Sequence, residues 1–153
     1  MTKQINFDMD GTIADLYGVD GWLDMLRACD PTPYEKAKPL FNMSLLARYL
    51  NRLAEQGYEI NVISWLAKNS NSEYDEMVRI AKMNWLKIHL KSVKFTKISI
   101  LEYGTPKENI GKGILFDDEE QNRKNWKGVA YDEKNILEIL KNLLTVSTEC
   151  AIL

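Results

Sequence analysis

The chain has 153 residues, 45% of them hydrophobic and 27% charged, the balance of one ordinary globular domain rather than of a disordered or membrane-embedded protein. Its formal net charge is −2, with 20 Lys and Arg against 22 Asp and Glu, so there is no basic excess and no extended nucleic-acid surface is expected. Two cysteines without C-x-x-C spacing, Cys29 and Cys150, argue against a disulfide framework and for a reducing compartment.

No apolar run of ~18 residues suggests a membrane span, and residues 1–8 do not resemble a signal peptide. The expectation is a cytoplasmic protein with no membrane partner. The last four residues, Cys150-Ala151-Ile152-Leu153, match the C-a-a-X pattern. So short a match is read as a coincidental apolar tail.

In chain order, residues 5–7 are a short apolar strand candidate. Over 15–43, Gly18, Gly21, Pro31, Pro33 and Pro39 break any long helix. This stretch reads as an insertion between the first strand and the first crossover helix, expected to cover a site. Residues 44–56 form a helix, with Leu45, Leu46, Tyr49, Leu50 and Leu53 on one face and Gly57 as its stop. A second strand is expected at 60–63. Residues 72–89 form a long amphipathic helix, its apolar face drawn from Met77, Ile80, Ala81, Met83 or Asn84, and Ile88. A third strand lies within 95–101, and Pro106 opens a short helical turn over 106–110. A fourth strand at 113–116, a helix at 119–126, a fifth strand at 129–131 and a closing helix at 135–144 complete the chain. Alternating strands and helices imply βαβ units, a parallel sheet and a three-layer α/β domain spanning 1–153.

Ligands of an open parallel sheet bind beyond the carboxyl ends of its strands. After the first strand stand Asp8, Asp10, Gly11 and Thr12. Ser64 follows the second, Asp117 and Asp118 the fourth, and Asp132 the fifth. Carboxylates gathered at one edge repel, and a divalent cation relieves the conflict. Oxygen ligands without His or Cys favour Mg²⁺ over zinc. A carboxylate such as Asp8 can attack phosphorus and form an aspartyl-phosphate. Asp10, two residues on, can protonate the leaving oxygen and later activate water. Gly11 lets the backbone turn close past a phosphate, and Thr12 can cap the next turn. Ser64 can hold a phosphoryl oxygen, and Lys107 can offset charge on the others.

Phe7-Asp8-Met9-Asp10-Gly11-Thr12 resembles the D-x-D-G-T motif of the haloacid dehalogenase superfamily. Ser64, Lys107 and Leu115-Phe116-Asp117-Asp118 resemble its second, third and fourth motifs, in the same order along nearly the whole chain. The resemblance implies a Rossmann-like sheet of order 5-4-1-2-3. It implies Asp8 as nucleophile, Asp10 as general acid and base, and Mg²⁺ held by Asp8, the Asp10 carbonyl and Asp117. Asp118 is read beside these as a partner that supports the ligands or reaches the ion through water. The second half, from Trp85-Leu86-Lys87 through Thr105-Pro106-Lys107 to Asn125-Trp126-Lys127-Gly128, is most similar to the 5′(3′)-deoxyribonucleotidases and their small relatives. The chain departs from the larger nucleotidases in its short insertion and in Trp65 after Ser64.

Other residues have plainer readings. Asp132 is a turn residue. Lys97 falls on the third strand, and Lys112 at the wrong end of the fourth. The lysines from Lys82 to Lys97 form a solvated face. Tyr17, Trp22, Tyr34 and Phe41 pack the insertion onto the sheet, with stacking on a nucleobase as the alternative. His89, the lone histidine, sits late in a helix, where a cation suits the dipole. The function expected is Mg²⁺-dependent hydrolysis of a phosphate monoester, a nucleoside monophosphate first. The alternatives are another small phosphate ester, a nucleic-acid end, or a non-catalytic phosphate- and Mg²⁺-binding module. Homodimerisation would be one way to complete a pocket that so small an insertion covers.

Overall fold

The computed structural model describes residues 3–152, with side chains described through residue 146. Its centre is the strand Gln4–Phe7 (β1), whose alternating side chains serve two faces. Ile5 and Phe7 are buried in the main apolar cluster. Asn6, fully buried on the other face, donates to the carbonyls of Lys112 at 2.7 Å and Ile114 at 3.0 Å. It also accepts from Asn61 at 3.1 Å. A polar side chain at the centre of a sheet is tolerable because its amide is satisfied on both ends.

The segment after β1 carries a two-residue strand, Ala14–Asp15 (β2), a 3-10 turn at Leu16–Gly18, and the helices Trp22–Arg27 (α1) and Thr32–Lys36 (α2). It closes with Lys38–Pro39 (β3), antiparallel to β2. Then follow Met43–Glu55 (α3), Glu59–Trp65 (β4), Ser72–His89 (α4) and Lys97–Leu101 (β5). A 3-10 turn at Lys107–Asn109 leads to Ile114–Phe116 (β6), Glu120–Asn125 (α5), Val129–Tyr131 (β7) and Ile136–Ile152 (α6).

The main sheet is parallel and five-stranded, ordered β5-β4-β1-β6-β7. The numbering differs from the expected 5-4-1-2-3 because the segment after β1 contributes β2 and β3, a two-stranded ribbon that the sequence did not suggest. Two residues per strand are too few for a period-2 pattern to be seen. One face of the sheet packs Ile5, Phe7, Ile60, Val62 and Phe116 against α3, α6 and the end of α4. The opposite face is thinner, where Ile63 and Leu115 meet Trp126, Ile110 and Leu101.

Asn42 caps α3 by accepting from the Leu45 amide at 3.0 Å, and Asn71 caps α4 through Tyr74 at 2.8 Å. The apolar face of α4 differs from the expected one. Its buried residues are Tyr74, Val78, Ala81, Lys82, Trp85 and Leu86, whereas Met77, Ile80 and Ile88 are exposed, Ile88 at 72%. The stripe that packs includes a lysine, so ranking residues by hydrophobicity rotated the helix away from its true contact face. The His89 ring lies 4.5 Å from that of Trp85, tilted by 45°, and burial pushes its pKa down rather than favouring a cation. The closing helix runs well past residue 144. The side chains of the C-terminal Cys150-Ala151-Ile152-Leu153 pattern lie outside the described residues. Among the described residues, no helix is long and apolar enough to cross a membrane.

Candidate active site

The sheet register assembles the carboxylates. Phe7 pairs with Val62 on one side and Phe116 on the other. Asp8, the next residue, therefore stands beside Asp117 at the carboxyl edge, with Ser64 at the end of the neighbouring strand. The ladder continues through them, with the Asp8 amide donating to Phe116 at 2.9 Å and Asp117 donating to Tyr131 at 3.0 Å.

Beyond Asp8 the chain makes a tight turn. The Met9 carbonyl accepts from the amides of Thr12, Ile13 and Ala14 at 3.0–3.1 Å, and Gly11 takes a φ of +82°, a region open to glycine. A Cβ on Gly11 would meet the Asp118 carboxylate and the Tyr17 ring. The turn buries Thr12 completely, with its hydroxyl 3.0 Å from Asp8 Oδ2 and 3.2 Å from Asp118 Oδ1. One hydroxyl hydrogen serves one of these acceptors at a time. The same oxygen accepts from the Asp118 amide at 3.1 Å. Thr12 thus ties the first acidic loop to the second, a larger part than capping a turn.

Two buried lysines face the acids. Lys107, at 2% exposure, donates to Asp8 Oδ1 at 2.9 Å and Asp117 Oδ2 at 2.7 Å. Asp117 also accepts from the Glu119 amide at 2.9 Å and from Asn122 at 3.1 Å. The second lysine is Lys82, which corrects the reading of 82–97 as a solvated face. It is 1% exposed and donates to Asp10 Oδ2 at 2.8 Å, Ser64 Oγ at 2.7 Å and the Trp65 carbonyl at 2.6 Å. A lysine reaches the interior only with such partners. The one signal in sequence was its place on the stripe of Tyr74, Val78, Ala81 and Trp85.

Ser64 therefore engages Lys82, and it is fully buried rather than part of the cavity wall. Asp10 turns its carboxylate to Lys82 and stands apart from the cluster of Asp8, Asp117 and Asp118, whose oxygens lie within 4.8 Å of one another. Asp118 belongs to that cluster directly. Asp132 forms a turn, accepting from the Lys134 amide at 3.0 Å.

The environment separates the two acids of the first loop. Burial raises the Asp8 carboxyl, but the Lys107 ammonium and hydrogen bonds from Asp118 and Lys107 outweigh it, holding Asp8 below the ordinary value. Burial raises Asp10, and Lys82 only partly offsets it. Burial and the Asp8 charge push Asp117 up to about 6 and Asp118 up to about 8. Burial would lower Lys107, yet Asp8 and Asp117 hold it above its usual value.

Asp8, Asp10, Lys107 and Asp118 open onto a cavity of about 550 Å³. Its walls include Leu16, Tyr17 and Trp22 from the segment after β1, and Trp65 and Tyr103 from the sheet edge. Of the aromatics in 15–43, Tyr34 is buried beneath the 5.1 Å approach of the Lys82 ammonium to its ring. Phe41 packs on the main core. No protein-family model matches this chain, and no curated protein matches it.

Proposed function

We propose that the chain is a Mg²⁺-dependent phosphate monoester hydrolase of the haloacid dehalogenase type, with Asp8 as covalent nucleophile. The observation that carries this reading is the placement of Asp8 and Asp10 on one cavity, Asp8 bonded to Lys107 at 2.9 Å within the group of Asp117 and Asp118, and Asp10 bonded to Lys82 at 2.8 Å. Asp8 is held ionised by Lys107, while Asp10 is raised by burial. Environments that push two acids apart mark a nucleophile and a proton donor.

Asp8 attacks phosphorus, forming the acyl phosphate as the bond to the leaving oxygen breaks, and Asp10 gives that oxygen its proton. Water then attacks the phosphorus and loses a proton to Asp10. Inorganic phosphate departs and the Asp8 carboxylate is restored. Lys107, which lines the cavity, offsets charge on the phosphoryl oxygens. Ser64 acts through Lys82, which orients Asp10. Lys82 was not among the residues expected from the sequence. The hard oxygen donors of Asp8, Asp117 and Asp118 suit Mg²⁺, and the Asp10 carbonyl completes the set expected from the resemblance. When bound, the ion neutralises charge on the reacting phosphoryl group.

The cavity has the size of a small-molecule site and carries several rings, which supports a nucleoside monophosphate as substrate. The test is phosphate release from a panel of 5′- and 3′-nucleoside monophosphates, with Mg²⁺ or EDTA, for wild type and Asp8→Asn. Mg²⁺-dependent release that Asp8→Asn abolishes is expected. Normal turnover by Asp8→Asn would refute the mechanism.

A further inference from the structure

The core leaves one apolar stripe uncovered, on the outer face of α4. Met77, Ile80 and Ile88 are 36%, 53% and 72% exposed, and half-buried Met83 lies between them. At 3.6 residues per turn these side chains share one side of the helix, opposite the buried Val78, Lys82 and Trp85. A single exposed apolar residue needs no explanation, but a stripe along a helix of 18 residues is a contiguous patch of the kind that marks a contact surface.

The charges around this patch are segregated. Glu73 and Glu76 stand on the same face in the first turns, Lys87 in the last turn and Lys91 just beyond it, all exposed. Glu76 makes only a 3.8 Å contact with Arg79, and among the described residues no ion pair engages Glu73, Lys87 or Lys91. End charges of these signs suit the helix dipole, but the dipole gives no reason for the apolar residues between them. A face with acid at one end and base at the other is complementary to itself when turned end for end, as a two-fold axis requires. About an axis near the middle of α4, Glu73 and Glu76 of one copy meet Lys91 and Lys87 of the other, twice over, with Ile80 and Met83 at the centre. A parallel pair would set like charges together.

We infer that the outer face of α4 is a homodimer interface, in which two copies of this chain pack antiparallel through an apolar centre and a rim of Glu–Lys pairs. The centre carries the affinity and the rim sets the direction, since an exposed ion pair contributes little by itself. One helix pair is a small interface, so a micromolar Kd is expected. None of these residues lines the cavity, so the pairing is tested independently of the phosphatase chemistry.

Sedimentation velocity of the full chain from about 1 to about 300 µM brackets such a Kd. Wild type should pass from 17.7 kDa to twice that mass. Ile80→Arg changes both sides of the axis and should weaken association at least about tenfold, with the fold kept by circular dichroism because the site is half exposed. A chain carrying Glu73→Lys and Glu76→Lys sets four like-charge contacts in its own dimer, as does one carrying Lys87→Glu and Lys91→Glu. Each should stay monomeric where wild type pairs, and mixing the two should restore the dimer. A wild type that remains at 17.7 kDa throughout, a dimer that Ile80→Arg leaves intact, or charge variants that pair alone as well as mixed would each overturn the inference.

Discussion

Lys82→Met isolates what one buried ammonium does. Methionine keeps most of the length and the apolar stem of lysine, so the packing of α4 changes little. The charge and three donated hydrogen bonds disappear. Asp10, Ser64 Oγ and the Trp65 carbonyl each lose the donor that lies at 2.6–2.8 Å. Removing one partner of a buried ion pair destabilises by about 3–5 kcal/mol. The Asp10 side chain is 18% exposed, so water relieves part of the loss and the low end, about 3 kcal/mol, applies. For a domain of this size each kcal/mol moves Tm by about 2–4 °C, which gives a fall of roughly 6–12 °C. Lys87, exposed on the same helix, is the control, since a surface substitution stays within about 0.5 kcal/mol. Thermal unfolding followed by circular dichroism at one pH reads both variants. A Lys82→Met shift no larger than that of Lys87→Met would refute the network and restore the solvated face.

Gly11→Ala forces a Cβ into a positive φ and against the Asp118 carboxylate. Expected are a loss of at least about 1 kcal/mol in urea unfolding and weaker Mg²⁺ binding by calorimetry, and unchanged values in both would contradict the turn. Asn42→Ala removes the cap of α3 and should lower stability by about 1 kcal/mol in the same unfolding assay, with Mg²⁺ affinity unchanged. The metal-free protein should show a particular pH trend. Asp117 and Asp118 are raised above the ordinary carboxylate value, to about 6 and about 8, so their protonated forms fit the fold. That stability is complete below the unfolded value near 3.8 and is lost as pH rises through about 6 and 8. With EDTA, Tm should fall from pH 5 to 8.5. The proposed Mg²⁺ site uses the ionised carboxylates, so Mg²⁺ should raise Tm more at pH 8.5 than at pH 5. An equal Mg²⁺ effect at both values would refute the assignment of these acids as ligands.

The five sheet strands were legible because each is a short apolar run ending at a polar residue. The residues at their carboxyl ends could be named in advance because the sheet rule places ligands there. The helices over 44–56 and 72–89 were placed within a residue by their apolar spacing, and Gly57 marked the end of the first, whereas the closing helix runs past the expected 144 to Ile152. What escaped were features that depend on who sits opposite. The β2–β3 ribbon is too short for periodicity, and its pairing of Ala14 with Pro39 is a tertiary fact. The orientation of α4 was misread because Met77, Ile80 and Ile88 look like core, while Lys82 does not. Only the position of Asp10 and Ser64 across from that helix makes the lysine the better buried residue. The same holds for Trp65 and Tyr103, far apart in sequence and brought together by the register of Trp65 with Leu101.

The charge arrangement gives each buried lysine its own acids and leaves a group of carboxylates that would suit the proposed cation. Four carboxylates, of Asp8, Asp10, Asp117 and Asp118, meet two buried ammonium groups. Lys107 reaches up from the 3-10 turn before β6 and is shared between Asp8 and Asp117. Lys82 comes down from α4 and belongs to Asp10. That division keeps Asp8 ionised and near a cation that does not block the cavity, while Asp10 keeps an affinity for a proton. Asp118 receives neither lysine; burial, the Asp8 charge and its hydrogen bond with Asp8 raise its pKa, and the Thr12 hydroxyl only partly offsets them. A proton on Asp118 and a divalent cation among Asp8, Asp117 and Asp118 are therefore alternative answers to the same excess of negative charge. The second answer would leave Asp8, Asp117 and Asp118 ionised, and in the proposed phosphatase it would also supply positive charge where an incoming phosphate dianion would otherwise be repelled.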